Sequence, residues 1–268
     1  NAAINQIEAG TQCWVQEGHV YAQRSFILKT TGIITIGVTS LNLQLQGLPS
    51  QEISVALDAG DFNSIEDGLA RAASIANTNN RVAVRIAPGD YYENTPLTVP
   101  DYVTVYGSGH EVCRIFCLNN GPAQHGLIMG TDTEVFNLQV RGASGAGAGG
   151  FYFPSGKHDM ETHDCKYRDC DIGFFSEAGG PNPAVFVRNP HCSGGSGSVA
   201  YQVSNGGRMT VTGAVQTGAV VVTDTFAKAD GAGSKLTMCV VQLGGTNTQR
   251  TAEVSNNAEM ELQVFRVD

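Results

Sequence analysis

The sequence returns to one pattern at a near-constant interval. Short segments with apolar residues at every second position begin at Val82, Val103, Phe136, Met160, Val185, Met209, Leu236 and Met260. The steps between them are 21, 33, 24, 25, 24, 27 and 24 residues, the long step carrying an insertion around Cys113 to Gly130. Such alternation marks a strand with one buried face. Second strands are expected inside most units, at residues 127–129, 151–153, 173–175, 199–201, 219–222 and 252–254. Turns rich in Gly, Asn and Ser separate them, as at Asn205-Gly206-Gly207. A unit of this size cannot bury its inner face alone, so the repeat predicts a β-solenoid in which each unit is one coil. Stacked coils pair strand on strand at about 4.8 Å, so roughly seven coils make a stack on the order of 35 Å.

Composition fits this reading and excludes others. Charged residues are 15% of the 268, against about 25% in an ordinary soluble domain. Glycine is 33 of 268, and hydrophobic residues reach 41%, enough for a core. The net charge of -9 and the lack of a dense Lys/Arg block argue against nucleic acid as a partner. No run of 18 apolar residues exists, so no membrane span is expected. The seven cysteines leave at least one unpaired within a monomer and include no Cys-x-x-Cys. They are expected mainly as small buried apolar residues. No Asn-x-Ser/Thr sequon and no signal peptide are visible, and Asn1 in place of Met reads as a processed chain or a fragment.

Residues 1–50 form a separate section with strand-like alternation at residues 32–38 and 41–45, closed by Gly47-Leu48-Pro49-Ser50. It is expected to serve attachment or oligomerisation, with the β-helix occupying 51–268. Another strand is expected at residues 53–57. One helix follows over residues 64–76. Ser64 precedes Asp67 by three positions, a capping pattern, and Ile65, Leu69, Ala72 and Ile75 recur at helical spacing. That helix is expected to cover the open N-terminal end of the stack, whose unpaired edge otherwise invites aggregation.

Four stretches carry a family resemblance. Ile65-Glu66-Asp67-Gly68-Leu69 is followed by Ile86-Ala87-Pro88-Gly89-Asp90-Tyr91-Tyr92-Glu93-Asn94 and by Leu97-Thr98-Val99-Pro100 running into Val103-Thr104-Val105-Tyr106-Gly107. Together they resemble the opening of pectin-lyase-like right-handed parallel β-helices. Thr162-His163-Asp164-Cys165-Lys166-Tyr167-Arg168-Asp169-Cys170 is similar to that fold's coil repeat, with Asp in place of Asn. The resemblance covers about residues 60–268 and implies an all-β right-handed parallel β-helix. It is weak for function, because the fold hosts lyases, hydrolases, esterases, epimerases and non-catalytic virion proteins. The Pro-Gly-x-Tyr-x-Glu-Asn form is similar to β-helical parts of tail fibres and tailspikes, among which homotrimers are common.

Candidate chemistry concentrates at His158, Asp159, Glu161, His163, Asp164, Asp169 and Asp171. A glycan lyase or hydrolase needs carboxylates, or a carboxylate with a base, on one outer sheet. Asp159, Glu161 and His163 alternate, so one face can hold all three. The competing reading places Asp164 and Asp169 at turn positions and the rest on a solvated surface. The His and Cys spacings do not match a zinc site. The catalytic stretches of pectin methylesterases and the aspartate-plus-arginine set of pectate lyases are not found. Gly145–Gly150 fits Gly-x-Gly-x-x-Gly, but a strand and no helix follows, so it is expected as a flexible loop leaving the coil.

The leading expectation is therefore a structural component of a virus or phage particle (minor capsid, fibre or tailspike-like), with no turnover, cofactor or metal. It acts in assembly or host attachment, as a trimer among other virion proteins, in a virion or extracellular setting. The strand-like, uncapped end at residues 264–268 fits coverage by another chain or domain. The alternatives are a polysaccharide lyase or glycoside hydrolase on the same fold, and a non-catalytic adhesin binding host glycans through Tyr91, Tyr92, Phe151 and Tyr152.

Overall fold

A computed structural model of the chain describes residues 12–15, 24–28, 43–46, 51–58, 60–179, 185–192, 199–217, 225–243 and 250–267. The chain divides into two compact units, Asn1–Glu52 and Ile53–Asp268. In the first, Gln12–Val15, Arg24–Leu28 and Leu43–Gln46 form a three-stranded antiparallel sheet. The expected strands at residues 32–38 and 219–222 lie outside the described residues.

The second unit is a right-handed parallel β-helix of about six turns, close to the seven that the repeat suggests. Each middle coil has three strands where the sequence suggests two. The first face contains Val82–Ile86, Val103–Gly107, Thr133–Phe136, Met160–His163 and Val185–Arg188. The second contains Gly89–Glu93, Cys113–Cys117, Gln139–Arg141, Lys166–Arg168 and His191–Cys192. The third contains Leu97–Thr98, Leu127–Ile128, Gly149–Phe153, Ile172–Ser176, Val199–Val203, Thr225–Asp230 and Arg250–Ser255. Every pair between neighbouring coils is parallel and in register, as in Met160↔Val185 and Thr162↔Val187.

The extra strand comes from a bend. Residues 136–140, expected as one strand, are broken at Asn137. Asn137, Asp164 and Asn189 stack in successive coils with φ of 54°, 51° and 47°. Asn and Asp tolerate this left-handed region because their short polar side chains bond locally. The bend keeps the ladder intact: the Asn137, Asp164 and Asn189 N–H groups donate to the carbonyls of His163, Arg188 and Thr212 at 3.0, 3.0 and 2.9 Å. The next coil places Gly213 there, at φ 90°. Beyond it the register reaches Val240 and Val264. β-Branched residues resist left-handed backbone, and there the strands Lys235–Leu243 and Glu259–Val267 run straight through.

The interior is stacked by residue type. Phe151, Phe174 and Tyr201 lie one above another, with ring centroids 4.9 and 5.6 Å apart and planes within 10°. The Tyr201 hydroxyl meets Cys192 Sγ at 3.3 Å, so its one polar atom is not stranded. Cys113, Cys165, Cys170 and Cys192 are buried and unpaired. Burial pushes the Cys165 and Cys170 thiols up to about 12, which keeps them protonated and unreactive. Gly145–Gly150 is a packed corner and not a loose loop. Ala148 is fully buried, and a Cβ on Gly145 would lie 2.0 Å from the Gly121 carbonyl oxygen.

The helix spans Ile65–Ala73, and Ser64 Oγ accepts from the Asp67 N–H at 3.2 Å. It buries Ile65, Leu69 and Ala72 in the β-helix core. The Tyr91-x-Glu93 pair of the resemblance has a structural reason. Tyr91 turns inward and donates its hydroxyl to the Ala87 carbonyl at 3.0 Å. Glu93 is also nearly buried, and the Ile65 N–H at the helix start donates to it. Burial, with help from the nearby Glu66 and Asp67 charges, raises Glu93 from 4.5 to about 6. A raised carboxylate favours the neutral form in the fold, so this contribution to stability is full below pH 4.5 and is lost as pH rises through about 6. Glu93→Gln keeps the acceptor and removes the titration. Chemical denaturation should show the variant gaining on the wild type between pH 4.5 and pH 6, by up to about 2 kcal/mol. Gly173→Ala tests the packing, since its Cβ would lie 2.3 Å from the Tyr167 ring. It should lower stability by about 1–3 kcal/mol.

Candidate functional site

The outer surface of the first face carries the densest side-chain chemistry. Outward positions there form two columns along the stack, because in-register coils place equivalent residues one above another. One column holds Arg85, Tyr106, Phe136, His163 and Arg188. The Arg85 guanidinium lies 5.1 Å from the Tyr106 ring centroid. Tyr106 stacks on Phe136 at 5.0 Å, and Phe136 on His163 at 4.4 Å, both within 12° of parallel. The ring faces are therefore covered by one another, and only edges point outward.

The other column holds Thr104, Glu134, Glu161 and Phe186. Glu161 Oε2 is 3.0 Å from His163 Nε2 and accepts from Arg188 Nε at 3.1 Å. Arg188 also lies over the Phe186 ring at 4.9 Å. Arg81 spans two coils: its guanidinium donates to Asp132 Oδ1 at 2.5 Å and to Glu134 Oε1 at 3.5 Å. Lys157 spans two coils in the other direction and reaches Asp101 at 2.8 Å. The Lys157 hydrogen bond and charge and the Thr131 N–H outweigh burial, the largest single influence, and hold the Asp101 carboxyl below its usual value.

The structure thus brings together two of the three sequence candidates. Glu161 and His163 share the outer face of Met160–His163 and bond each other. Asp159 stands just outside that strand, in left-handed backbone at φ 54°, with its carboxylate 2.9 Å from His158 Nδ1. Asp164 and Asp169 occupy left-handed turns, at φ 51° and 55°, the position the competing reading gave them. Sequence reasoning missed Glu134 and Arg81. Glu134 was legible in principle, since it sits one repeat before Glu161 at the equivalent position. Of the proposed sugar-binding aromatics, Tyr91 and Phe151 face the core, while Tyr92 is 60% exposed and stacked on Phe116. Tyr152 is half-buried on the third face.

Chemically, Glu134 and Glu161 stand on neighbouring coils, a spacing open to acid–base work on a sugar. Each is joined to a cation, however, and the arrangement as it stands is a set of cross-coil ion pairs. Among the described residues no three His, Cys, Asp or Glu side chains converge in a way that suits a metal ion. No helix there is long and apolar enough to cross a membrane.

No family model matches the sequence, and no curated protein matches it. Solved structures do resemble it. A pectin methylesterase from carrot superposes with a TM-score of 0.50 at 14% identity, over 80% of this chain and 82% of that one. This chain has the pectin-lyase-like parallel β-helix fold. The catalytic domain of a GH87 α-1,3-glucanase gives 0.48 at 10% identity, over 77% of this chain and 39% of that one. A tailspike protein of an Acinetobacter baumannii bacteriophage, a capsular polysaccharide depolymerase, gives 0.35 at 10% identity, over 95% and 67%. Within the β-helix, Arg81 is the clearest test of the surface. Arg81→Gln should lower stability by about 1 kcal/mol in low salt, and the loss should shrink in 1 M NaCl, as denaturation midpoints will show.

Proposed function

We propose that this chain is a structural component of a virus or phage particle, a minor capsid, fibre or tailspike-like protein that works by rigid presentation in assembly or host attachment. The observation that supports this reading is the use of the outer charges. Arg81, Lys157, Arg188, Arg114 and Lys166 each bind a carboxylate one or two coils away. A catalyst instead needs an acid and a base tuned apart and free to move a proton. In this reading residues 1–50 serve attachment or oligomerisation, the assembly is a homotrimer among other virion proteins, and the setting is the virion or the extracellular space.

The second reading is a polysaccharide lyase or glycoside hydrolase, and the stacked Glu134 and Glu161 on the first face favour it. Incubation with a panel of capsular and plant glycans separates the two. The structural reading expects no new reducing ends and no unsaturated products. Turnover that vanishes in Glu161→Ala would overturn it. Sedimentation at micromolar concentration should give a trimer, and a stable monomer would count against assembly.

A further inference from the structure

The longest departure from the coil repeat is the insertion at residues 118–126. It carries no Asp, Glu, Lys or Arg. It is tied to the next coil at three points. The Ala123 N–H donates to the Ala146 carbonyl, and the Gly126 N–H to the Gly149 carbonyl, both at 2.9 Å. The third tie differs in kind. The Gly149 N–H, at the start of strand Gly149–Phe153, donates to the imidazole Nδ1 of His125 at 2.9 Å. A titratable ring thus takes the acceptor role that carbonyls fill in the strand ladder. The same ring is stacked on Tyr152 at 3.7 Å, within 13° of parallel, with Phe175 tilted beside it at 6.0 Å.

Accepting at Nδ1 fixes the neutral tautomer, with the proton on Nε2. An imidazolium has two donors and no acceptor. Once His125 is charged, the Gly149 N–H and the Nδ1–H oppose each other. We propose that His125 is an acid-labile clamp, whose protonation breaks the bond to Gly149 and releases the insertion from the adjoining coil.

The surroundings fix the sign. Burial holds His125 below 6.5 and outweighs Glu177, the one charged group that acts to raise it. Glu177 is itself engaged by the Tyr152 hydroxyl, Ser204 and Asn205. Tyr152, the other titratable group against the ring, is pushed far above neutral by burial and by Glu177, so it stays uncharged. Asp171 acts further along the corner, accepting from the Gly147 N–H at 2.7 Å. A histidine lowered in the closed state binds its proton more readily in the open one. The clamp is therefore fully closed above pH 6.5, and opening grows as pH falls below it, by at most tenfold per pH unit.

Hydrogen exchange of the intact protein, corrected for intrinsic rates, tests this. Between pH 7.5 and pH 5, the Gly149 amide and residues 118–126 should open several-fold more, while strand Val103–Gly107 stays protected. His125→Asn offers a carbonyl oxygen near Nδ1 and should make opening independent of pH. His125→Phe keeps the stack without the acceptor and should open at both pH values. In the wild type alone, ring 15N shifts should show Nδ1 unprotonated at pH 7.5. A protonated Nδ1, or a Gly149 amide whose protection does not change with pH, would overturn the proposal.

Discussion

The parallel ladder between coils governs everything else in the β-helix. A coil has few partners for its own strand N–H and C=O groups, so the coil above and the coil below must supply them, residue for residue. Once that register is set, equivalent positions line up along the axis. Inward positions become stacks, such as Phe151, Phe174 and Tyr201. Corners become stacks too, which is why Asn137, Asp164 and Asn189 repeat one backbone geometry. Where the register reaches Val240 and Val264 the strands run on without the corner, and the ladder is unbroken.

The same alignment explains the surface. Neighbouring coils are about 4.8 Å apart, so an arginine or lysine reaches a carboxylate one coil away, as Arg114 reaches Asp90, or two coils away, as Arg81 reaches Asp132. Exposed pairs of this kind contribute little each, about 0–1 kcal/mol. Their larger effect is on register, since a slip by one residue turns each charged side chain to the wrong face.

The fold was legible because the repeat interval, the Ser64 cap and the Pro88-Gly89-x-Tyr91-x-Glu93 stretch all report local constraints. The second face was not, because strands such as Lys166–Arg168 and His191–Cys192 are two or three residues long, too short for alternation to stand out from the sequence. The candidate surface was half legible. Alternation placed Glu161 and His163 together. It had no means of showing that Asp159 turns away in left-handed backbone, or that Arg81, 51 residues from Asp132, closes a pair with it. Those relations depend on how many residues each coil uses, which the insertion at 118–126 changes. The aromatic positions misled for the same reason: Tyr91 and Tyr92 are adjacent, and only the register decides which one faces the core.

At issue is whether Glu161 holds coils together or turns over a substrate. A carboxylate retained for catalysis commonly lies at some cost to the fold, so replacing it leaves stability unchanged or raises it. A carboxylate held by His163 and Arg188 does the opposite, because its loss leaves two donors without their acceptor. The decisive measurement is the equilibrium unfolding of Glu161→Ala beside the wild type at pH 7. A variant less stable by about 1 kcal/mol is expected. A variant equal to or more stable than the wild type would contradict it.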